Sequence, residues 1–335
     1  MSVTVFAFRS TKRRHQKPRG KPGVPTRTQS GTPWNRWKAA PGRRADMIGF
    51  WRTHSSKLIT LFLLLPALAG FFGLFFYPML LTVILSFRPE GQAVGWTLEN
   101  YTRFLADPDG RWVILLTFIL SLGSTALSVL LSVPLALILR EKVRGHRFYR
   151  LMVLVPLVVP GLIGALGLLL FWGTRGWFNL FLLQFVPFVQ RPVAVNYTMH
   201  GLIMFYVWLY FPYTCITTLS SLESLDRSIE EAGEVSGATR WQVLRHIVLP
   251  LITPGILAGS VLTFMAAFGA FSVPLIAGGN YRPLSVEIYK EISIFIPARW
   301  SAASAIAMVM GALQVIFLSL YMRYVRRAGG PGAVR

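Results

Sequence analysis

Six stretches of this 335-residue chain contain no Asp, Glu, Lys or Arg: residues 58–87, 112–139, 151–172, 199–219, 253–277 and 301–322. Each is about 20 residues or longer, enough to cross a hydrocarbon core of about 30 Å as a helix. Charged residues make up 14% of the chain, against about 25% in soluble domains. The expected fold is an all-α integral membrane protein with six transmembrane helices. The fourth block has the softest boundary, near Asn196–His200.

A net charge of +21 suggests nucleic acid as a partner, but the distribution argues against it. Of the 34 Lys and Arg, 26 lie before 58, in 140–150, in 220–252 and after 322. The alternate segments 88–111, 173–198 and 278–300 hold only 8. Such alternation is the positive-inside pattern, which places both termini and the 220–252 loop in the cytoplasm. Residues 1–57 are rich in Lys, Arg, Pro and Gly, with Asp46 as the only acid. They read as a disordered basic tail able to touch anionic lipid by charge, with Met47 as an alternative translation start. The membrane domain is expected over 58–327, and 328–335 as a second cytoplasmic tail. No specific nucleic-acid partner is expected.

The spans carry no charge, and Gln314 is the only strongly polar side chain deep within one. Ion-coupled carriers commonly place ionisable groups there to hold the coupling ion. No catalytic set, metal-ligand cluster or phosphate loop stands out, and the lone Cys215 can form neither an internal disulfide nor a metal cluster. No cofactor or metal is expected, and uphill transport would need energy from a partner. Prolines and glycines within the spans, among them Pro156, Pro160, Gly255 and Gly259, suit helices that kink and approach closely around a path.

The loop between the fourth and fifth blocks is patterned: "EEAGEVSGATRWQVLRHIVLPLITPG" runs from Glu230 to Gly255. Ser228 and Glu231 have the spacing of a capping box, opening a short helix to about Ser236. Ile229, Ala232, Gly233 and Ser236 share one face, small enough for close docking. Gly237 is placed for a left-handed cap. A second helix from about Thr239 puts Trp241, Leu244 and Ile247 on one side, and Pro250 is expected to end it. The pair reads as a docking element, its first helix projecting into the cytoplasm.

"EAGEVSGATRWQVLRHIVLP" resembles the EAA loop of permease subunits of bacterial ABC importers. That pattern is Glu-Ala-Ala, three residues, Gly, then about nine residues to Ile-x-Leu-Pro. The matching positions are Glu231, Ala232, Gly233, Gly237, Ile247, Leu249 and Pro250, with Gly233 replacing the second Ala. The likeness extends from about Leu58 to Arg327 and includes "WTLENYTRFLADP". It implies a bacterial inner-membrane permease with a cytoplasmic coupling-helix loop seated in a groove of a separate ATPase subunit. Glu231 would be the charged contact, Ala232 and Gly233 would permit the close fit, and Gly237 would make the turn. It also implies a cytoplasmic ATPase dimer, a second permease subunit (self or sibling), an extracytoplasmic solute-binding protein, and no catalysis by this chain.

"AFGAFSVPLIAGGNYRPLSVEIYKEI", residues 267–292, is more similar to permeases for polyamines, ferric iron, thiamine or phosphonates than to sugar permeases. Acids in 88–111 (Glu90, Glu99, Asp107 and Asp109) would suit a cation path, or simply be solvated. A sugar-class importer permease and an ion-coupled carrier working alone are the alternative readings.

Overall fold

The computed structural model describes residues 62–92, 94–141 and 145–328. The expected tails 1–57 and 328–335, and Met47, lie outside them except for Ala328. Residues 62–68 are helical, and the larger compact unit begins at Ala69. Among the described residues there is no strand. Six helical stretches are long and apolar enough to cross a membrane: Phe62–Ser86, Pro108–Arg140, Gly161–Phe185, Met199–Ser224, Arg240–Phe268 and Trp300–Arg323.

In chain order the helices are α1 (Phe62–Ser86), α2 (Glu99–Ala106), α3 (Pro108–Arg140), α4 (His146–Val158), α5 (Gly161–Trp172) and α6 (Trp177–Phe185). They continue with α7 (Met199–Ser224), α8 (Arg227–Val235), α9 (Arg240–Phe268), α10 (Ser272–Ala277), α11 (Leu284–Ser293) and α12 (Trp300–Ala328). Helix α3 begins cleanly because the Asp107 carboxylate accepts from Asp109 N and Pro108 fits the first turn. Its 33 residues extend about 50 Å, well beyond a hydrocarbon core of about 30 Å. Arg140, its last residue, follows directly on the charge-free run 112–139.

Two expected spans are interrupted. The block 151–172 breaks at Val159, whose ψ of 124° is extended, and Pro160 starts a new helix. Pro160 has no N–H for the Pro156 carbonyl, and it pushes the residue before it out of the helical region. The block 253–277 breaks after Phe268, where Gly269 caps α9 and α10 follows. The expected outer loop 173–198 contains α6 and is ordered by the buried Asn179. The Asn179 amide donates to Gly173 O (2.8 Å) and Val193 O (3.1 Å) and accepts from Val193 N (2.7 Å).

Helices α3, α7 and α9 pack mutually and form the kernel. Their buried contacts are rich in small hydroxyls: Thr117, Ser121, Ser124, Ser128 and Ser132 stripe α3. Most of these hydroxyls hydrogen-bond within their own helix; the links between helices are fewer. Ser132 donates to Phe211 O (3.1 Å), and the Thr214 and Thr263 hydroxyls pair at 2.8 Å. Apolar side chains gain little by leaving lipid for protein, so close packing and such bonds hold membrane helices together. The tightest approach is α7 against α9. A Cβ on Gly255 would lie 1.8 Å from Ser221 Oγ, and one on Gly259 would lie 2.6 Å from Thr214 Cα.

At the opposite end of α1, the Asn100 amide donates to Ser86 O (3.2 Å) and Arg88 O (2.8 Å), clipping α2 to the end of the first span. Glu90 accepts from Ala302 N at 3.0 Å, capping α12.

Gly259→Ala should lower stability in detergent by about 1–3 kcal/mol, because the new methyl meets both Thr217 Oγ1 at 2.1 Å and the α7 backbone at Thr214. Gly311→Ala, with nothing within 4 Å of the new methyl, should leave thermal stability undiminished or slightly raised.

Candidate functional site

The loop after α7 folds as a helical hairpin of α8 and the start of α9. Leu225 leaves the helix with ψ 124°, and Asp226 then caps α8, accepting from Ser228 N at 2.9 Å. Ser228, the expected cap, is instead the second helical residue; Asp226 takes the role because its carboxylate reaches the free amide. This bond holds the Asp226 carboxyl below its usual range. The cap is fully effective above that range and weakens as pH falls through the lowered value.

Helix α8 has nine residues, too few to be stable alone in water. Its exit is fixed by two bonds, Ala238 N to Gly233 O (3.2 Å) and Gly237 N to Glu234 O (3.0 Å). Gly237 has φ +90°. These are the marks of a Schellman cap, as expected for this glycine. The next helix has a capping box absent from the sequence-based expectations: Gln242 N donates to Thr239 Oγ1 (3.3 Å) and Thr239 N to Gln242 Oε1 (2.7 Å).

Pro250 does not end this helix. The chain runs helically from Arg240 to Phe268 through a widened turn at Leu244–Val248, where Leu249 N–H reaches Leu244 O. A proline inside a helix leaves the carbonyl four residues earlier without a donor and crowds it. The wider turn just before Pro250 is the kind of insertion that absorbs such a defect. The hairpin is thus continuous with a membrane-crossing helix.

The inner surface of the hairpin also differs from expectation. Gly233 is buried against the second helix: a Cβ there would lie 2.9 Å from Ile247 Cδ1 and 3.1 Å from Val243 Cγ2. Its small size serves the hairpin's own packing, not an outward face. Val243 and Val248 are buried with Ile252 and Leu222, while Ile247 and Leu249 pack on that cluster. Trp241, expected on the packed side, is 63% exposed. Glu231, Ala232, Ser236 and Pro250 are exposed, and Val235 stands out at 88%.

Glu231 is exposed, whereas Glu230 is tied into the fold. Its carboxylate pairs with the Arg140 guanidinium, and Arg140 also donates to Leu225 O at 3.1 Å. The Arg140 side chain is only 8% exposed. In sequence, Arg140 counts only toward loop charge. Beside this pair lies a cleft of about 360 Å³, lined by Glu141, Arg227, Glu230, Glu231, Glu234 and Arg240 among others. Among the described residues, no three His, Cys, Asp or Glu side chains converge as a metal would require. The hairpin offers a nine-residue helix, exposed carboxylates and three exposed apolar side chains, Ile229, Val235 and Trp241. That is the chemistry of a contact surface.

Residues 128–329 match the family described as binding-protein-dependent transport system inner membrane component. The spermidine/putrescine transport system permease protein PotB of Escherichia coli (strain K12) is 30% identical over 271 residues, covering 78% of this chain and 97% of that protein. The molybdenum transport system permease protein ModB of Mycobacterium tuberculosis (strain ATCC 25618 / H37Rv) is 28% identical over 257 residues, covering 75% and 90%. A solved bacterial ABC transporter involved in the import of the acidic polysaccharide alginate superposes with a TM-score of 0.70 at 20% identity, covering 83% of this chain and 98% of that one. That likeness supports the fold. With over half its length inside the family match, this chain belongs to the binding-protein-dependent transport system inner membrane components and is a permease subunit of an ABC importer, with ATP hydrolysis left to separate subunits.

Proposed function

We propose that this permease imports a polyamine-class cation and that its 227–250 hairpin is the docking site for a cytoplasmic ATPase dimer. The observation that carries the docking assignment is the hairpin itself: capped at both turns, seated on the bundle, continuous with α9, and exposing Glu231, Ala232 and Val235. In this reading Glu231 makes the charged contact and Ala232 permits close approach. Gly237 makes the turn, while Gly233, Ile247 and Leu249 hold the hairpin together. Pro250 lies within the helix that joins the hairpin to the membrane. The positive-inside distribution supports a cytoplasmic hairpin and cytoplasmic termini. A second permease subunit, identical or sibling, completes the pathway, and an extracytoplasmic binding protein delivers the solute.

Support for a polyamine comes from the PotB relatives. It does not come from the acids of 88–111. Glu90 caps α12, Glu99 pairs with Arg103 at 2.6 Å, and Asp107 caps α3. The test is to purify the permease from mild detergent with its co-purifying subunits and titrate the associated binding protein with spermidine, putrescine and molybdate. Polyamine binding together with a co-purifying soluble ATPase supports the proposal. A permease that comes alone and transports in liposomes without ATP contradicts it.

Two substitutions test the hairpin. Glu231→Arg should abolish ATP-dependent uptake in proteoliposomes while membrane insertion is unchanged. Gly237→Val meets no neighbour within 4 Å, but a β-branched residue at φ +90° should cost about 1–2 kcal/mol. Uptake should fall accordingly, and Gly237→Asn, which tolerates the left-handed region, should retain more.

A further inference from the structure

A docked ATPase can work the permease only if movement of α8 reaches the spans. Helix α8 has few routes for this. Gly233 packs on Val243 and Ile247, which leads into α9. The other strong route is Arg140. Its guanidinium joins the last residue of α3 to the Glu230 carboxylate in the first turn of α8 and to Leu225 O in the connector before it. These partners lie 90 and 85 residues away in sequence. A planar guanidinium holding two acceptors fixes direction as well as distance, which the point charge of lysine does not. The nearby pair Arg227–Glu141 spans 3.7 Å with both side chains more than half exposed, so it adds little.

We propose that Arg140 is a positioning residue for transport. It clamps α8 to the end of α3, so the hairpin moves as one body with both α3 and α9, and ATPase closure displaces two kernel helices together. Glu230 is the internal partner in this clamp, leaving the adjacent Glu231 free for the ATPase. The proposal rests on the hairpin being the ATPase docking site.

The test uses the assembled transporter in proteoliposomes, with uptake and ATP hydrolysis measured on the same preparation. Arg140→Met should lower solute taken up per ATP hydrolysed by about tenfold, in the range of ordinary coupling energies, with the ATPase still bound. Arg140→Lys should be intermediate. Arg140→Glu should be as poor as Arg140→Met, and adding Glu230→Arg should restore much of the ratio. A purely structural bond would lower the yield of transporter and both rates together, leaving the ratio unchanged. That result, or a double variant no better than Arg140→Glu alone, overturns the proposal. Should Arg140→Met fail to assemble, Glu230→Gln, which keeps a neutral hydrogen bond, must still lower the ratio; an unchanged ratio there also overturns it. If Glu231→Arg leaves ATPase binding and uptake intact, the docking reading itself has failed. If Glu231→Arg abolishes them while Arg140 variants remain fully coupled, only the clamp has failed.

Discussion

Close approach of α3, α7 and α9 is the constraint on which the rest depends. In lipid the hydrophobic effect does not drive helix against helix, so cohesion must come from dispersion contacts and buried hydrogen bonds. Both fall away steeply with distance. Gly255 and Gly259 remove the side chains that would keep α9 from α7, and the hydroxyl stripe of α3 keeps that helix slim on its buried face. With the kernel set, the outer pieces attach to it. Leu284 N, at the start of α11, donates to Thr117 Oγ1 at 3.0 Å, and Tyr321 of α12 pairs with Ser260 of α9 at 2.8 Å.

The same rigidity gives the hairpin its mechanical meaning. A nine-residue helix on a flexible tether would absorb any push from a bound protein. Here one end is capped directly off α7, the other closes through the Gly237 turn into α9, and Arg140 joins its first turn to α3. Force on the exposed face of α8 therefore meets all three kernel helices. The breaks at Pro160 and Gly269 lie elsewhere in the bundle, in helices that pack at its flanks or beyond the end of α9.

Much of this architecture is legible from residue order because the dominant signals are local. Charge-free runs mark spans, and a glycine between two short helical patterns marks a left-handed turn. The errors arise where a local rule meets a longer-range requirement. Pro250 reads as a stop, yet a widened turn carries the helix through it. The additional residue in that turn rotates the rest of the helix by about 100°, one reason a straight helical stripe through Trp241 misplaces the packed face. Ser228 and Asp226 are both good caps, and only the backbone path decides between them. Gly233 reads as an outward small residue because its partners, Val243 and Ile247, meet it only after the chain reverses. Arg140 carries no signal of its own, since its partners lie 85 and 90 residues away.

The central claim is that the hairpin and the kernel helices move together. Cys215 is the only cysteine, so a Cys215→Ser background permits spin labels at Val235→Cys on α8 and Ile138→Cys on α3, both exposed. The distance between them should be measured by pulsed electron paramagnetic resonance in the assembled transporter, with and without ATP. The account predicts one unchanged distance distribution within each subunit, while the distance between the Val235 labels of paired subunits, or to a label on the ATPase, shifts with ATP. A Val235–Ile138 distance that changes with ATP would show the hairpin moving independently of α3 and would contradict the account.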